Sequence, residues 1–293
     1  MSSRPIRPRR SALYVPAANA KAVAKAETLD CDTIVFDLED AVAPDAKADA
    51  RERLRAHFRT HPESRKERII RINALATDYG TEDLLAARGC IPDAILIPKV
   101  DVPQHVGEVA EALAQTDAPD TLRLWAMMET PKSLLNAAAI AQAGETTGSR
   151  FDCMVVGTND LAKDLRMPGV DRAALRPHLA QLVLAARAYG LDIIDGVFNA
   201  FRDEVGFASE CAEGVAMGFD GKTVIHPAQI CRANSAFGVS PAREAAAADI
   251  VAAFELPENR AAGVIALDGR MVERLHLDEA RRTLALAALQ RGD

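Results

Sequence analysis

At 293 residues, 49% of them apolar but only 4% aromatic, the chain can bury a large aliphatic core, which suits stacked helices and sheet. Five cysteines, an odd number with no Cys-x-x-Cys spacing, give no support to a disulfide framework or a zinc knuckle. A net charge of −7 offers a nucleic acid no global attraction, no run approaches the ~18 apolar residues of a membrane span, and the basic positions 4, 7, 9 and 10 lack an apolar signal core, so a cytoplasmic protein is expected.

In chain order, an apolar run over 11–15 closed by Pro16 predicts a first strand, and the Ala-rich stretch 19–28 a helix. A second strand over 33–36 runs into Asp37-Leu-Glu-Asp40, and Pro44 opens a helix reaching about residue 59. A third strand, 68–72, carries Arg71 with Asn73 next to it. A helix over 81–88 precedes a fourth strand, 94–97, which ends in Pro98-Lys99, and another helix covers 106–115. The runs 122–128 and 153–157 predict strands five and six, each ending in a carboxylate, Glu129 and Asp160, and each followed by a helix opening, 132–143 and 161–165. A helix over 172–189 stops at Gly190, a seventh strand over 191–194 ends in Asp195-Gly196, a helix covers 203–217, and an eighth strand, 221–225, meets His226-Pro227. Eight alternating strand–helix pairs are what a closed (β/α)8 TIM barrel requires, and the barrel reading accounts for about 250 residues; an open doubly wound sheet is the alternative. The barrel with its active site is assigned to residues 1–240. Residues 241–293 form an extension, with a helix over 241–254, a hairpin over 263–271 turning at Asp268-Gly269, and a last helix over 278–289.

Active sites of such barrels lie at the C-terminal strand ends. Asp37, Glu39, Asp40, Arg71, Asn73, Lys99, Glu129, Asp160 and Asp195 are all predicted there, a ring of polar groups on one face. Two acids from nearby strands can converge on one hard cation, so Glu129 and Asp160 are read as a Mg²⁺ site; the competing reading is that each merely caps its following helix. A guanidinium inside Ile-Ile-Arg-Ile-Asn is costly unless it meets an anion, either a substrate oxygen or, as a structural ion pair, Asp37 or Asp40. His226 fits a hydrogen-bonded structural histidine better than a base. A Schiff base on Lys99 is disfavoured because so many acids hold its ammonium charged. No Gly-x-Gly-x-x-Gly, P-loop or Gly-x-Ser-x-Gly elbow occurs.

Seven stretches occur in a distinctive order: Arg10-Ser-Ala-Leu-Tyr-Val-Pro-Ala, Phe36-Asp-Leu-Glu-Asp-Ala-Val, Arg71-Ile-Asn, Pro98-Lys-Val, Met128-Glu-Thr-Pro, Gly157-Thr-Asn-Asp-Leu and Gly221-Lys-Thr-Val-Ile-His-Pro. From about Arg10 to Ala285 the chain resembles the citrate lyase beta-subunit-like family of the HpcH/HpaI aldolase superfamily, which includes malyl-CoA and citramalyl-CoA lyases. The resemblance implies a phosphoenolpyruvate/pyruvate-type barrel, Mg²⁺ held by Glu129 and Asp160, and Arg71 on the substrate's oxygens. Asp37 and Asp40 are then expected to orient water around the cation. It also implies cleavage of a 3-hydroxyacyl-CoA into acetyl-CoA and a 2-oxo acid by a homo-oligomer, a trimer or a multiple of it. Thioester hydrolysis, aldol chemistry on a non-CoA hydroxy acid, or a non-catalytic subunit are the alternatives. In the family's lyases an aspartate in a Met-Ile-Asp-x-Pro setting reaches a neighbouring subunit's site and handles the thioester proton. The matching stretch here is Met271-Val-Glu273-Arg-Leu-His276, so Glu273 takes that role with a longer side chain and no following proline, and Asp268 is a nearby substitute.

Overall fold

In the computed structural model, which describes residues 6–292, eight parallel strands close in sequence order into one barrel. They are β1 (Ser11–Pro16), β2 (Thr33–Asp37), β3 (Glu67–Arg71), β4 (Ala94–Ile97), β5 (Arg123–Met128), β6 (Phe151–Val156), β7 (Asp192–Asp195) and β8 (Gly221–Val224). Pairing of Ser11 with Lys222 and Leu13 with Val224 shuts the ring between β1 and β8. The eight strands alternating with helices thus form the (β/α)8 arrangement, and the open sheet is excluded. Helices α1 (Ala20–Ala26), α2 (Lys47–Thr60), α3 (Gly80–Cys90), α4 (Pro103–Gln115), α5 (Pro131–Leu135), α6 (Ala137–Gln142), α7 (Thr158–Asp164), α8 (Arg172–Ala188), α9 (Glu204–Met217) and α10 (Ile230–Phe237) follow the strands.

Two departures from the sequence reading have local causes. The helix expected over 132–143 is broken at Asn136, whose side-chain amide donates to the Asp101 carbonyl at 2.8 Å instead of lying along a helix surface. Helix α10 follows a single 3-10 turn too short to carry a visible period; its buried Asn234 accepts from the Ser11 hydroxyl and donates to the Asp30 carbonyl.

Strands covered by helices outside and by one another inside read as continuous apolar runs, and only the alternation of side chains tells the two faces apart. The interior set is Ala12, Val35, Ile69, Ala94, Leu96, Trp125, Met127, Cys153, Val155 and Ile194, with Tyr14 packed against it. Continuing the same two-residue step towards the C-terminal strand ends reaches Asp37 from Val35, Arg71 from Ile69, Glu129 from Met127 and Gly157 from Val155. The parity that fills the core therefore delivers the polar groups to the barrel mouth.

Residues 9–236 make up the barrel unit, and residues 237–292 with 6–8 a second compact unit. Within the second unit, α11 (Pro241–Glu255), the hairpin β9 (Val264–Leu267) and β10 (Arg270–Glu273), and α12 (Arg274–Arg291) gather around Phe254, Ile265, Val272 and Leu277. Asp268 and Gly269 form the hairpin turn with φ of 50° and 74°, the left-handed pair that such a tight reversal requires. No helix among the described residues is long and apolar enough to cross a membrane.

Candidate active site

A cavity of about 360 Å³ opens at the C-terminal end of the barrel, and Asp37, Asp40, Arg71, Glu129 and Asp160 all line it. The sequence reading thus brings its metal pair, its arginine and two of its acids to one place. Glu39 and Lys99 are joined by an ion pair of 2.6 Å. Four members of the predicted ring, Glu39, Lys99, Asp195 and Asn73, are absent from the lining. Asp195 is wholly buried and faces outward, one residue out of phase with the inward Ile194, where Lys222 and Arg172 hold it at 2.9 and 3.0 Å. Asn73 turns back to Asp83, Lys47 and the Leu38 carbonyl. His226 accepts from the Ala228 N–H and stacks on Phe201 at 4.6 Å, in keeping with a structural histidine.

Neither metal candidate caps a helix. Thr130 caps α5, while Glu129 Oε1 accepts from the Lys99 backbone N–H at 2.8 Å. Lys99 adopts φ 49° to present that N–H, a strained conformation of the kind that gathers at functional sites. Asp160 sits in the first turn of α7 and makes no hydrogen bond or ion pair among the described residues, and α7 has no side-chain cap. Gly157 is required beside this pair: a Cβ there would come within 2.5 Å of Glu129 Cβ and Oε2.

Arg71 spends its fork on Asp37, with Nε and Nη2 donating to Oδ1 and Oδ2 at 2.8 and 2.6 Å, and Nη1 lies 2.9 Å from Glu39. Of the two readings open from sequence, the ion pair with Asp37 is the one this geometry forms. Asp37 also accepts from the backbone N–H groups of Glu39 and Ala41, so both its oxygens tie β2, β3 and the following turn together. Lys47 donates to the Leu38 and Glu39 carbonyls beneath that turn.

Five carboxylates, Asp37, Glu39, Asp40, Glu129 and Asp160, thus meet three cations, Arg71, Lys99 and Lys47. Burial, and then the negative charge of Glu39 and Asp160, push Glu129 up to about 8 even though the Lys99 N–H and Arg71 pull it down. The buried Thr158 hydroxyl, which also lines the cavity, lacks a hydrogen-bond partner among the described residues. An excess of hard oxygen donors and an orphaned hydroxyl fit a divalent cation with an oxygen-rich ligand. Among the described residues no group of three or more His, Cys, Asp and Glu stands ready to hold an ion by itself. Mg²⁺ commonly takes only one or two carboxylates, with substrate and water completing its shell.

The sequence reading missed Tyr14, Met127, Thr158, Asn159, Asn199 and Ile225 in the lining. Strand parity could have found Tyr14 and Met127; the reciprocal amide pair joins Asn159, in the first turn of α7, to Asn199 on the loop after β7, and left no periodic trace. Glu273 belongs to the second unit, where it ends β10 and precedes α12, its N–H donating to His276 Nδ1 at 2.9 Å. Asp268 lies in the hairpin turn of that unit.

Residues 10–227 match the family model described as HpcH/HpaI aldolase/citrate lyase. A (3S)-malyl-CoA thioesterase of Cereibacter sphaeroides is 48% identical over 281 residues, covering 96% of this chain and 95% of that protein. The citrate lyase subunit beta of Escherichia coli is 33% identical over 299 residues, covering 99% and 96%. Among solved structures, the protein CitE of Mycobacterium tuberculosis in complex with magnesium, acetoacetate and coenzyme A superposes with a TM-score of 0.73 at 30% identity, covering 95% of this chain and 97% of that one.

Proposed function

The chain belongs to the HpcH/HpaI aldolase/citrate lyase family, and from that premise we propose that it is a Mg²⁺-dependent enzyme that cleaves a malyl-CoA-type 3-hydroxyacyl-CoA into acetyl-CoA and a 2-oxo acid. The observation that carries this reading is the cavity in which Glu129 and Asp160, the latter unbonded among the described residues, converge beside Arg71. The CitE structure, with its magnesium, acetoacetate and coenzyme A, supports the same ligand classes.

Glu129 and Asp160 would hold the cation, which when bound supplies positive charge for oxygens of the reacting acid. Arg71, fixed by Asp37, sets a second positive charge at the cavity wall, where charge developing on substrate oxygen is stabilised without reorganisation. Asp40, also in the lining, would orient water at the rim. Lys99 fixes Glu129 through its N–H and Glu39 through its Nζ, keeping the acids apart. Glu273 is assigned to the proton of the thioester portion in a neighbouring subunit of a homotrimer or a multiple of it. Mixing an inactive Glu273→Ala chain with an inactive Glu129→Gln chain should restore activity, and confirmed subunit exchange without recovery would remove that assignment.

Thioester hydrolysis is the second reading, favoured by the name of the relative at 48% identity and by glutamate standing where the lyases place aspartate. Purified protein incubated with malyl-CoA and Mg²⁺ separates the two. Acetyl-CoA and a 2-oxo acid appearing together without free thiol indicate carbon–carbon cleavage. Free thiol with malate and no 2-oxo acid indicates hydrolysis, and unchanged substrate overturns the assignment to malyl-CoA.

A further inference from the structure

Tyr14 stands on β1, across the barrel from β5, and its hydroxyl reaches the floor of the cavity to donate to Met127 Sδ at 3.3 Å. That thioether is its one hydrogen-bond partner among the described residues. A thioether is a weak acceptor, whereas a phenol is a strong donor, and a buried Tyr hydroxyl ordinarily finds an oxygen. The ring itself is well used, packing on the barrel interior and lying 5.0 Å under the Arg71 guanidinium. Phenylalanine would serve packing and stacking equally well. The hydroxyl is what calls for an explanation, because it takes desolvation in a polar cavity and gains little from sulfur.

The phenol cannot serve as a base near neutral pH. Burial raises its proton affinity, the charges of Glu129, Asp37 and Glu39 add to that, and Arg71 opposes only in part. It remains a neutral donor at the floor of an acid-rich cavity. Resting that donor on Met127 leaves it ready to turn to a better acceptor on a bound molecule.

We propose that the Tyr14 hydroxyl is a catalytic hydrogen-bond donor to the thioester carbonyl oxygen of the substrate. This rests on the reading above that the substrate is a 3-hydroxyacyl-CoA. It does not depend on which bond breaks. In carbon–carbon cleavage the electron pair of the broken bond moves onto the acetyl-CoA fragment and its charge spreads to the thioester oxygen. In hydrolysis water adds to the same carbonyl, and the tetrahedral centre carries its charge on that oxygen. Either way Tyr14 keeps its proton and donates one hydrogen bond that strengthens as charge develops.

Tyr14→Phe removes one oxygen atom and keeps the ring under Arg71, so its melting temperature should stay at the wild-type value. The variant should lose ~100-fold in kcat on malyl-CoA, whether the product is malate or a 2-oxo acid, with KM little changed, because the donor acts on charge absent from the ground state. Wild-type kcat in the folded variant would overturn the inference while leaving the proposed substrate standing, and so would a raised KM at unchanged kcat, which would make Tyr14 a ground-state contact. Wild-type protein that leaves malyl-CoA untouched would overturn the substrate reading and, because the donor is defined on the thioester, this inference with it.

Discussion

The two ends of the barrel each bury an arginine among carboxylates, and they use it in opposite ways. At the N-terminal end Arg9 is 2% exposed, lies 4.7 Å from the centre of the Trp125 ring, and binds Glu67 through Nε and Nη2, Asp152 through Nη2 and Asp192 through Nη1 at 2.5–2.8 Å. Its acids come from the starts of β3, β6 and β7, so one cation stitches strands that are distant in sequence. At the mouth Arg71 pairs with Asp37, yet among the described residues Asp160 keeps no hydrogen-bond or ion-pair partner, Glu129 accepts from one backbone N–H, and a cavity remains. Buried charge with its hydrogen bonds complete is architecture, and buried charge left short of cations is a binding site.

Breaking Arg9 is the largest effect expected. Arg9→Met takes the shared cation from three acids and should cost about 3–5 kcal/mol of stability, read by urea unfolding, while turnover per folded molecule stays near wild type. Loss of turnover at intact stability would place Arg9 in the chemistry and erase the contrast. At the mouth the outcome should invert. Asp160→Asn should lower turnover by ~10²–10³-fold while urea unfolding is unchanged or improved, since the carboxylate has no partner to lose among the described residues. Arg71→Lys should fall between the two, losing both turnover and ~1–3 kcal/mol of stability, because an ammonium cannot span both oxygens of Asp37 as the fork does.

The smallest effect belongs to the periphery of the closed end, where Glu27 accepts from His57 and Ser64. The bond with His57 lowers the Glu27 carboxyl below its ordinary range, although burial pulls the other way. A depressed carboxyl contributes stability that is fully present above its unfolded value of about 4.5 and is lost as pH falls through the folded value. With the pair at the rim of the barrel and Glu27 still partly open to solvent, Glu27→Gln should cost only about 0.5 kcal/mol at pH 6, and less still at pH 3. An equal cost at both values would assign the effect to packing.

How much of this was legible in the sequence follows from the same contrast. Strand ends, Glu129 just past β5, Asp160 in the helical turn after β6, and Arg71 inside an apolar run were visible because charge interrupting hydrophobic runs is rare. Facing was not. Asp195 ends its strand as Glu129 does, but parity turns it outward to Lys222, and runs buried on both sides carry no alternation from which to read that parity. Arg9 gave no signal either, since its partners lie 58, 143 and 183 residues away. The Arg71 fork was ambiguous because an arginine that binds substrate and one that binds Asp37 have the same sequence surroundings. Tyr14 read as one more apolar strand residue, and only the partner of its hydroxyl sets it apart.

The central claim is that the acid excess at the mouth exists to hold a divalent cation, and Mn²⁺ binding to metal-stripped protein, followed by electron paramagnetic resonance, tests it without any substrate. Wild-type chain should take up one Mn²⁺, displaceable by Mg²⁺, and folded Glu129→Gln should bind at least ~100-fold more weakly, the scale expected when a metal site loses a carboxylate ligand. Equal uptake by the two proteins, or none by wild type, would contradict the account.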